Sequence, residues 1–305
     1  MITALIQMSL LIACGTFWKS FAPAHISSSA HRRALTDLVF YLLLPALVLD
    51  VIWRAPLAAS SLQISFLATS GIITGLTIMW IILRFLKVSK QQTGALLLAA
   101  AFPNATYLGL PVLEQVIGPE TTATVLQYDF FACTPILLTI GIMLAHHYGA
   151  SKIEVHPIRE LIKIPALWAV SVGIVLNFLN IPQPEMLHAS LSTLAAAVVP
   201  LMLIVLGMSI RWRSLHICYL KLLAPVVAIT LIIVPMSVYS MGRLIGLESD
   251  LSIMVTLVGA MPTMVFGIVI CERYKLDSEL YAAAVTLTTI LSLVSLPLWY
   301  QWLSS

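Results

Sequence analysis

The chain of 305 residues is 60% hydrophobic and only 10% charged, against about 25% charged in soluble domains, so water is excluded as its main solvent. At roughly 20 apolar residues per membrane-crossing helix, about ten helices and short loops fill the length, with no separate soluble domain. The formal net charge of +3 comes from loop residues and speaks for membrane topology rather than for a nucleic-acid partner.

Apolar stretches bounded by polar residues, Pro or Gly predict ten segments, at about 2–18, 35–53, 62–86, 93–117, 121–147, 160–180, 190–210, 217–245, 250–272 and 279–303. The first has no basic residue ahead of it, so it reads as a retained helix rather than a cleaved leader. Leu11 to Gly15 only loosely resembles a lipoprotein cleavage box. The basic residues then alternate between gaps. Lys19, Arg32 and Arg33 fall in the first gap, Arg84, Lys87 and Lys90 in the third, and Lys152, Arg159 and Lys163 in the fifth. Arg211, Arg213 and Lys221 follow in the seventh, and Arg273 and Lys275 in the ninth. Of the sixteen Lys and Arg, only Arg54 and Arg243 lie in even gaps, beside acids such as Glu120, Glu185, Glu248 and Asp250. Positive loops stay cytoplasmic. A multi-pass protein of the inner (plasma) membrane with both termini outside the cytoplasm is therefore expected. Trp18, Trp53, Trp212, Trp299 and Trp302 sit near segment ends, as interfacial anchors do.

Five spans per half is an odd number, so a duplicated half re-enters the membrane inverted. The expected fold is an all-α integral membrane protein with ten transmembrane helices. Two inverted five-helix repeats, residues 1–150 and 151–305, make up one membrane domain. Three pairs recur in order at a nearly constant offset: Pro45 with Pro200, Pro103 with Pro262, and Glu120 with Glu279. Segment 4 carries Pro103, Gly109 and Pro111, enough to break a helix. Segment 9, with Gly259, Pro262 and Gly267, reads as a milder interruption. Matching broken helices in inverted repeats point to a transporter's binding site, and two plain proline kinks are the alternative.

At these residues the chain resembles the auxin efflux carrier family, which includes plant PIN-type carriers and bacterial malonate transporters. The matching pieces are Pro103-Asn104 through Gly109-Leu110-Pro111, Val199-Pro200 through Gly207, and Ala260-Met261-Pro262-Thr263; Phe40–Leu49 and Glu272–Thr289 add to them. The resemblance covers essentially the whole chain, and its short loops are similar to the bacterial branch. It implies ten helices, broken crossover helices 4 and 9, separate scaffold and transport units, and export or exchange of small organic anions. Substrate-binding residues are then expected at Pro103, Asn104, Tyr107, Gly109, Pro111, Met261, Pro262 and Thr263.

Charged groups inside a membrane are costly and mark function by default. Asp129, about nine residues into segment 5, is the deepest. It reads as a proton-binding or coupling residue, with a structural acid bonded to neighbouring helices as the alternative. Asn104 both donates and accepts hydrogen bonds, which suits a carboxylate or a crossing backbone. With no basic residue mid-membrane, an anion would rest on half-helix dipoles and hydrogen bonds. Asp37, Asp50 and Glu114 read as solvated or vestibule groups, with Asp50 and Arg54 placed to pair at i,i+4. Arg54 and Arg243 at outer ends stand where they would draw anions toward an exit. Thr286, Thr288 and Thr289 form a polar stripe that matches the Asp129 region by the repeat offset, with hydroxyls bonding their own helix backbone as the alternative. Gly71 and Gly75 permit close packing, within the chain in the first instance and at a homodimer face in the second. The four cysteines, Cys14, Cys133, Cys218 and Cys271, and the seven histidines, including His146, His147 and His156, show no metal-ligand spacing. No cofactor is expected.

The leading function is a secondary transporter of small organic anions, carboxylates similar to malonate or auxin, in exporting or proton-linked alternating access. A sodium-coupled organic anion importer of similar fold is the runner-up, disfavoured by the scarcity of acids. An intramembrane enzyme wants mid-span histidines or paired aspartates, which are lacking. A sensor would need an appended domain, and a channel a polar-lined helix.

Overall fold

A computed structural model describes residues 2–21, 27–55, 57, 59–151, 157–210 and 219–304. Lys152, His156, Arg211, Trp212, Arg213 and Cys218 lie outside the described residues, as does the Lys19 side chain. The described chain is all-helical apart from one isolated β-bridge. In order run α1 (Ile2–Phe21), α2 (Ser28–Arg54), α3 (Ala59–Phe85), α4 (Lys90–Ala101), α5 (105–116) and α6 (Thr121–Tyr148). There follow α7 (Pro157–Ile162), α8 (Pro165–Phe178), α9 (Glu185–Ser209, with a turn at Ala197) and α10 (Leu220–Leu244). The chain finishes with α11 (Ser249–Gly259), α12 (Gly267–Tyr274) and α13 (Ser278–Leu303). At least six of these, α2, α3, α6, α9, α10 and α13, are long and apolar enough to cross a bilayer.

Proline shapes the long helices from within. Pro45, Pro111, Pro135 and Pro235 each follow a five-residue π turn that ends two residues earlier, at Val39–Leu43, Ala105–Gly109, Asp129–Cys133 and Ile229–Ile233. A proline has no N–H for the carbonyl four residues back, and its ring crowds that carbonyl. The ladder widens upstream to relieve both, giving the wider turn. Proline also divides the stretch expected as one span at 160–180. Ile164 is extended, φ −91° and ψ 108°, because the residue before a proline is driven out of the helical region. Pro165 then starts α8 afresh.

Packing sorts the helices into two groups that cut across the two sequence halves. α1, α2, α8 and α9 pack on one another, while α3 to α6 and α10 to α13 form the second group. In the first group α1 crosses α9 backbone to backbone. A Cβ on Gly207 would lie 1.9 Å from the Ile12 carbonyl oxygen, and one on Gly15 would lie 2.0 Å from that of Ile204. The Thr16 hydroxyl donates to the Gly207 carbonyl at 3.2 Å. In the second group Gly75 abuts the Ala100 backbone, while Gly71 meets Val234, Val238 and Tyr128. The glycine pair of α3 therefore packs within the chain.

The third, fifth and ninth gaps meet at one end of the molecule. The Asp277 N–H donates to the Gln91 carbonyl, and the Arg273 guanidinium donates to both Glu160 oxygens at 2.8 and 2.9 Å. At the other end Trp53 Nε1 donates to the Ile181 carbonyl at 2.8 Å, joining the second and sixth gaps. These are called below the basic-loop and acid-loop ends.

Two predictions follow from this packing. Gly207→Val is expected to lower the thermal midpoint in detergent, since overpacking costs about 1–3 kcal/mol and here the obstacle is backbone. Gly242→Ala, whose Cβ would meet nothing closer than 3.5 Å, is the control expected to unfold near the wild-type temperature. At the basic-loop end, the Arg273 hydrogen bonds, with Lys163 second, hold the Glu160 carboxyl down at about 2. A depressed folded-state value stabilises above the ordinary carboxylate range, and the benefit drains away as pH falls toward 2. Melting temperature against pH should therefore fall less steeply between pH 5 and pH 2 in Glu160→Gln than in wild type (window from the about 2 of Glu160).

Candidate functional site

Two helices stop in mid-structure and cross at their breaks. Phe102 is extended, φ −108° and ψ 108°, because Pro103 follows it, and α4 ends there. α11 ends at Gly259, and the chain regains helical form only at Gly267. At the crossing Pro103 and Thr263 form an antiparallel bridge. The Asn104 N–H donates to the Pro262 carbonyl at 2.8 Å, and the Met264 N–H donates to the Phe102 carbonyl at 2.9 Å. Side chains satisfy what the bridge leaves over. Thr263 Oγ1 donates to the Ala99 carbonyl at 2.8 Å, Thr288 Oγ1 accepts from the Thr263 N–H at 3.1 Å, and the Tyr281 hydroxyl donates to the Met264 carbonyl at 2.9 Å. Backbone polar groups within a bilayer must be satisfied by protein or water, and each break here supplies the other's partners.

The break between α11 and α12 is the longer of the two, not the milder one. Helix is absent over 260–266, against 102–104 between α4 and α5. Thr288 and Tyr281 on α13 bond the Thr263 N–H and the Met264 carbonyl within this break, and that tertiary support is invisible in a local reading of Pro262. The threonine stripe divides its tasks. Thr286 and Thr288 donate to their own helix at Ala282 and Ala284, and Thr288 also serves the crossing.

Beside the crossing lies a cavity of about 50 Å³, in the half toward the basic-loop end and at the seam between the two packing groups. Asn104, Tyr107 and Asp129 line it, with Thr106, Thr134 and the Phe40–Phe266 pair, whose rings stack 6.1 Å apart. Asp129 is 4% exposed, and its carboxylate accepts from Thr106 Oγ1 and, at 2.8 Å, from Thr134 Oγ1. Asn104 is 1% exposed, and neither its Oδ1 nor its Nδ2 has a hydrogen-bond partner among the described residues. Lys, Arg and His are absent from the described lining. An unspent amide and a single carboxylate in such a place can bind a small polar group and exchange a proton.

The expected site residues thus divide. Asn104, Tyr107 and Asp129 share the cavity, while Pro103, Pro262 and Thr263 build the crossing. Met261 packs on Gly109, and Pro111 is buried behind the π turn of α5. Sequence reasoning passed over Thr106, inside the quoted motif, and Thr134. Thr134 is five residues beyond Asp129, and the π turn ahead of Pro135 brings the two into reach.

Toward the acid-loop end the same seam widens into a vestibule of about 820 Å³ whose lining includes Asp50, Glu114, Glu120, Glu248, Asp250 and Arg54. Glu114 accepts from Thr122. Asp50 is a vestibule group, one of the two alternatives expected, but a buried rather than a solvated one. It is 4% exposed and takes Arg54 Nη2 at 2.9 Å, Gln183 Nε2 at 2.8 Å and His188 Nδ1 at 2.8 Å. Gln183 and His188 come from a distant part of the chain, which is why local sequence failed to show the burial. Arg54 pairs with Asp50 as its spacing suggests, so its charge is already engaged.

Thr263→Val should destabilise the protein, because it strands the buried Ala99 carbonyl and such orphan groups cost about 1–3 kcal/mol. Thr263→Ser keeps the donor and should restore most of the thermal midpoint, which differential scanning fluorimetry would read.

A family model described as membrane transport protein matches residues 1–300. An uncharacterized transporter of Methanothermobacter thermautotrophicus is 28% identical over 268 residues, spanning 87% of each chain. One from Methanocaldococcus jannaschii is 24% identical over 300 residues, 95% of this chain and 94% of its own. The uncharacterized transporter YfdV of Escherichia coli K12 is 22% identical over 284 residues, 89% of this chain and 88% of its own.

Proposed function

Because the chain belongs to this family of membrane transport proteins, the auxin efflux carriers, we propose that it is a secondary carrier of small organic anions. The observation that carries the reading is the cavity that Asn104 and Asp129 share beside two crossed helix breaks. An anion there is held by the orphan Asn104 amide and by the N-terminal dipole of α5, which begins at the crossing. Asp129 takes up and releases the coupling proton. Both readings fit a lining that offers hydrogen bonds and one carboxylate but no fixed cation.

In this reading the molecule has ten spans, the two shorter pairs α4–α5 and α11–α12 each counting as one. Residues 1–150 and 151–305 are inverted repeats in an inner membrane, with both termini outside. Support comes from matched contacts: α6 reaches the first break through Asp129 and Thr106, and α13 reaches the second through Thr288 and Thr263. The two packing groups move against each other in alternating access, and cavities on both sides of the crossing lie along their seam. Basic loops gather anions on the cytoplasmic side and the acidic vestibule disfavours their return, which favours export.

Proteoliposome flux across a panel of mono- and dicarboxylates tests the proposal. Asn104→Ala is expected to weaken substrate affinity by about tenfold, near 1.4 kcal/mol. Asp129→Asn is expected to remove the pH dependence of flux. Flux that follows sodium and ignores pH would replace this mechanism with the sodium-coupled one.

A further inference from the structure

Ser252, Thr256 and Gly259 succeed one another on α11 at spacings of four and three, so they share one helix face. Ser252 is 6% and Thr256 1% exposed, yet neither hydroxyl has a hydrogen-bond partner among the described residues. Helical hydroxyls commonly bond the carbonyl four residues back, as those of Thr230, Thr286 and Thr288 do here. At the end of this face the Tyr128 hydroxyl stands 3.5 Å from the point where a Cβ on Gly259 would be, and equally close to that of Gly71. It too is fully buried and unpartnered among the described residues. Gln127, its neighbour, lines the acidic vestibule and leaves its Oε1 without a partner in the same sense. Asp129 is the next residue after Tyr128.

Four orphan polar groups therefore lie where α11, whose start is flanked by Glu248 and Asp250, meets α6: Ser252 and Thr256 on one helix, Gln127 and Tyr128 directly before Asp129 on the other. α11 packs against the first part of α6 along this line, and Thr124 Oγ1 lies 3.8 Å from the Met254 sulfur. Buried polar groups are nearly always satisfied, and a buried water typically makes about three hydrogen bonds to such groups.

We propose that Ser252, Thr256, Tyr128 and Gln127 hold a file of water molecules that carries protons between the acidic vestibule and Asp129. At each step one O–H bond breaks as the next forms, so the sum is one proton moved and one carboxylate protonated or deprotonated. The titratable groups facing Asp129 are Tyr107, Tyr128 and Cys133. Those at the vestibule end are Asp50, Glu114, Glu120, Glu248 and Asp250, with Arg54 paired to Asp50. The proposal rests on Asp129 as the proton-binding group, but its two parts are tested apart from that assignment.

An experimental structure of the wild-type protein at a resolution that reveals waters should show them within hydrogen-bond distance of Thr256 Oγ1 and Tyr128 Oη. Direct apolar packing around both atoms would overturn the file. Thr256→Val combined with Ser252→Ala is then expected to slow proton-linked flux by about tenfold or more, a modest share of what positioned proton transfer contributes. Substrate affinity should stay unchanged, and Thr256→Ser should keep the wild-type rate. Unchanged flux in the double variant would overturn the proton role. Asp129→Asn with its pH dependence intact would instead remove the coupling residue, while the waters at Thr256 would still stand or fall by the structure.

Discussion

Everything near the centre of this molecule depends on two interrupted helices that satisfy each other's backbone. A bilayer offers no water to a broken helix, and each stranded peptide group costs several kcal/mol there. Phe102 and Asn104 on one strand, Pro262 and Met264 on the other, exchange the bonds that their helices gave up. Since each break is the other's solvent, neither opens alone. The half-helices α4, α5, α11 and α12 are bound into one unit, with α13 attached through Tyr281 and Thr288. Any rigid-body movement of these helices must carry this unit whole.

Proline does two different jobs in the chain. At Pro103 and Pro262 it ends helices outright, in company with a partner strand. At Pro45, Pro111, Pro135 and Pro235 the helix continues, and a wider turn absorbs the missing bond. The second use alters which side chains meet, since Thr134 reaches Asp129 across five residues rather than four. π turns are frequent at functional sites, and here one contributes Thr106 and Tyr107 while another contributes Asp129 itself.

Much of this was legible in the amino-acid sequence because it follows from solvation. The alternation of Lys and Arg put the third, fifth and ninth gaps on one side, and the contacts of Asp277 with Gln91 and of Arg273 with Glu160 join those gaps. Pro103 and Pro262 marked the breaks, and Asp129 declared itself as the deep acid. What escaped was tertiary in origin. The second break is supported by α13, the burial of Asp50 comes with Gln183 and His188, and the split at Ile164 comes from a proline taken for part of a continuous span. The sorting of helices into two groups, each drawn from both halves, has no local signal at all.

That sorting bears on how the protein comes to exist. α1 leaves the ribosome well before the backbone it packs against: Thr16 and Gly207 are separated by 191 residues. Until α9 is synthesised, the Gly15 face has only lipid or a helper protein to lie against. Lipid tails are as apolar as the helix, so this delay costs little in the membrane, where small-residue contacts form after insertion. Assembly of the first packing group is thus a late event, and a chain cut anywhere before α9 leaves the Gly15 face of α1 without the backbone it fits.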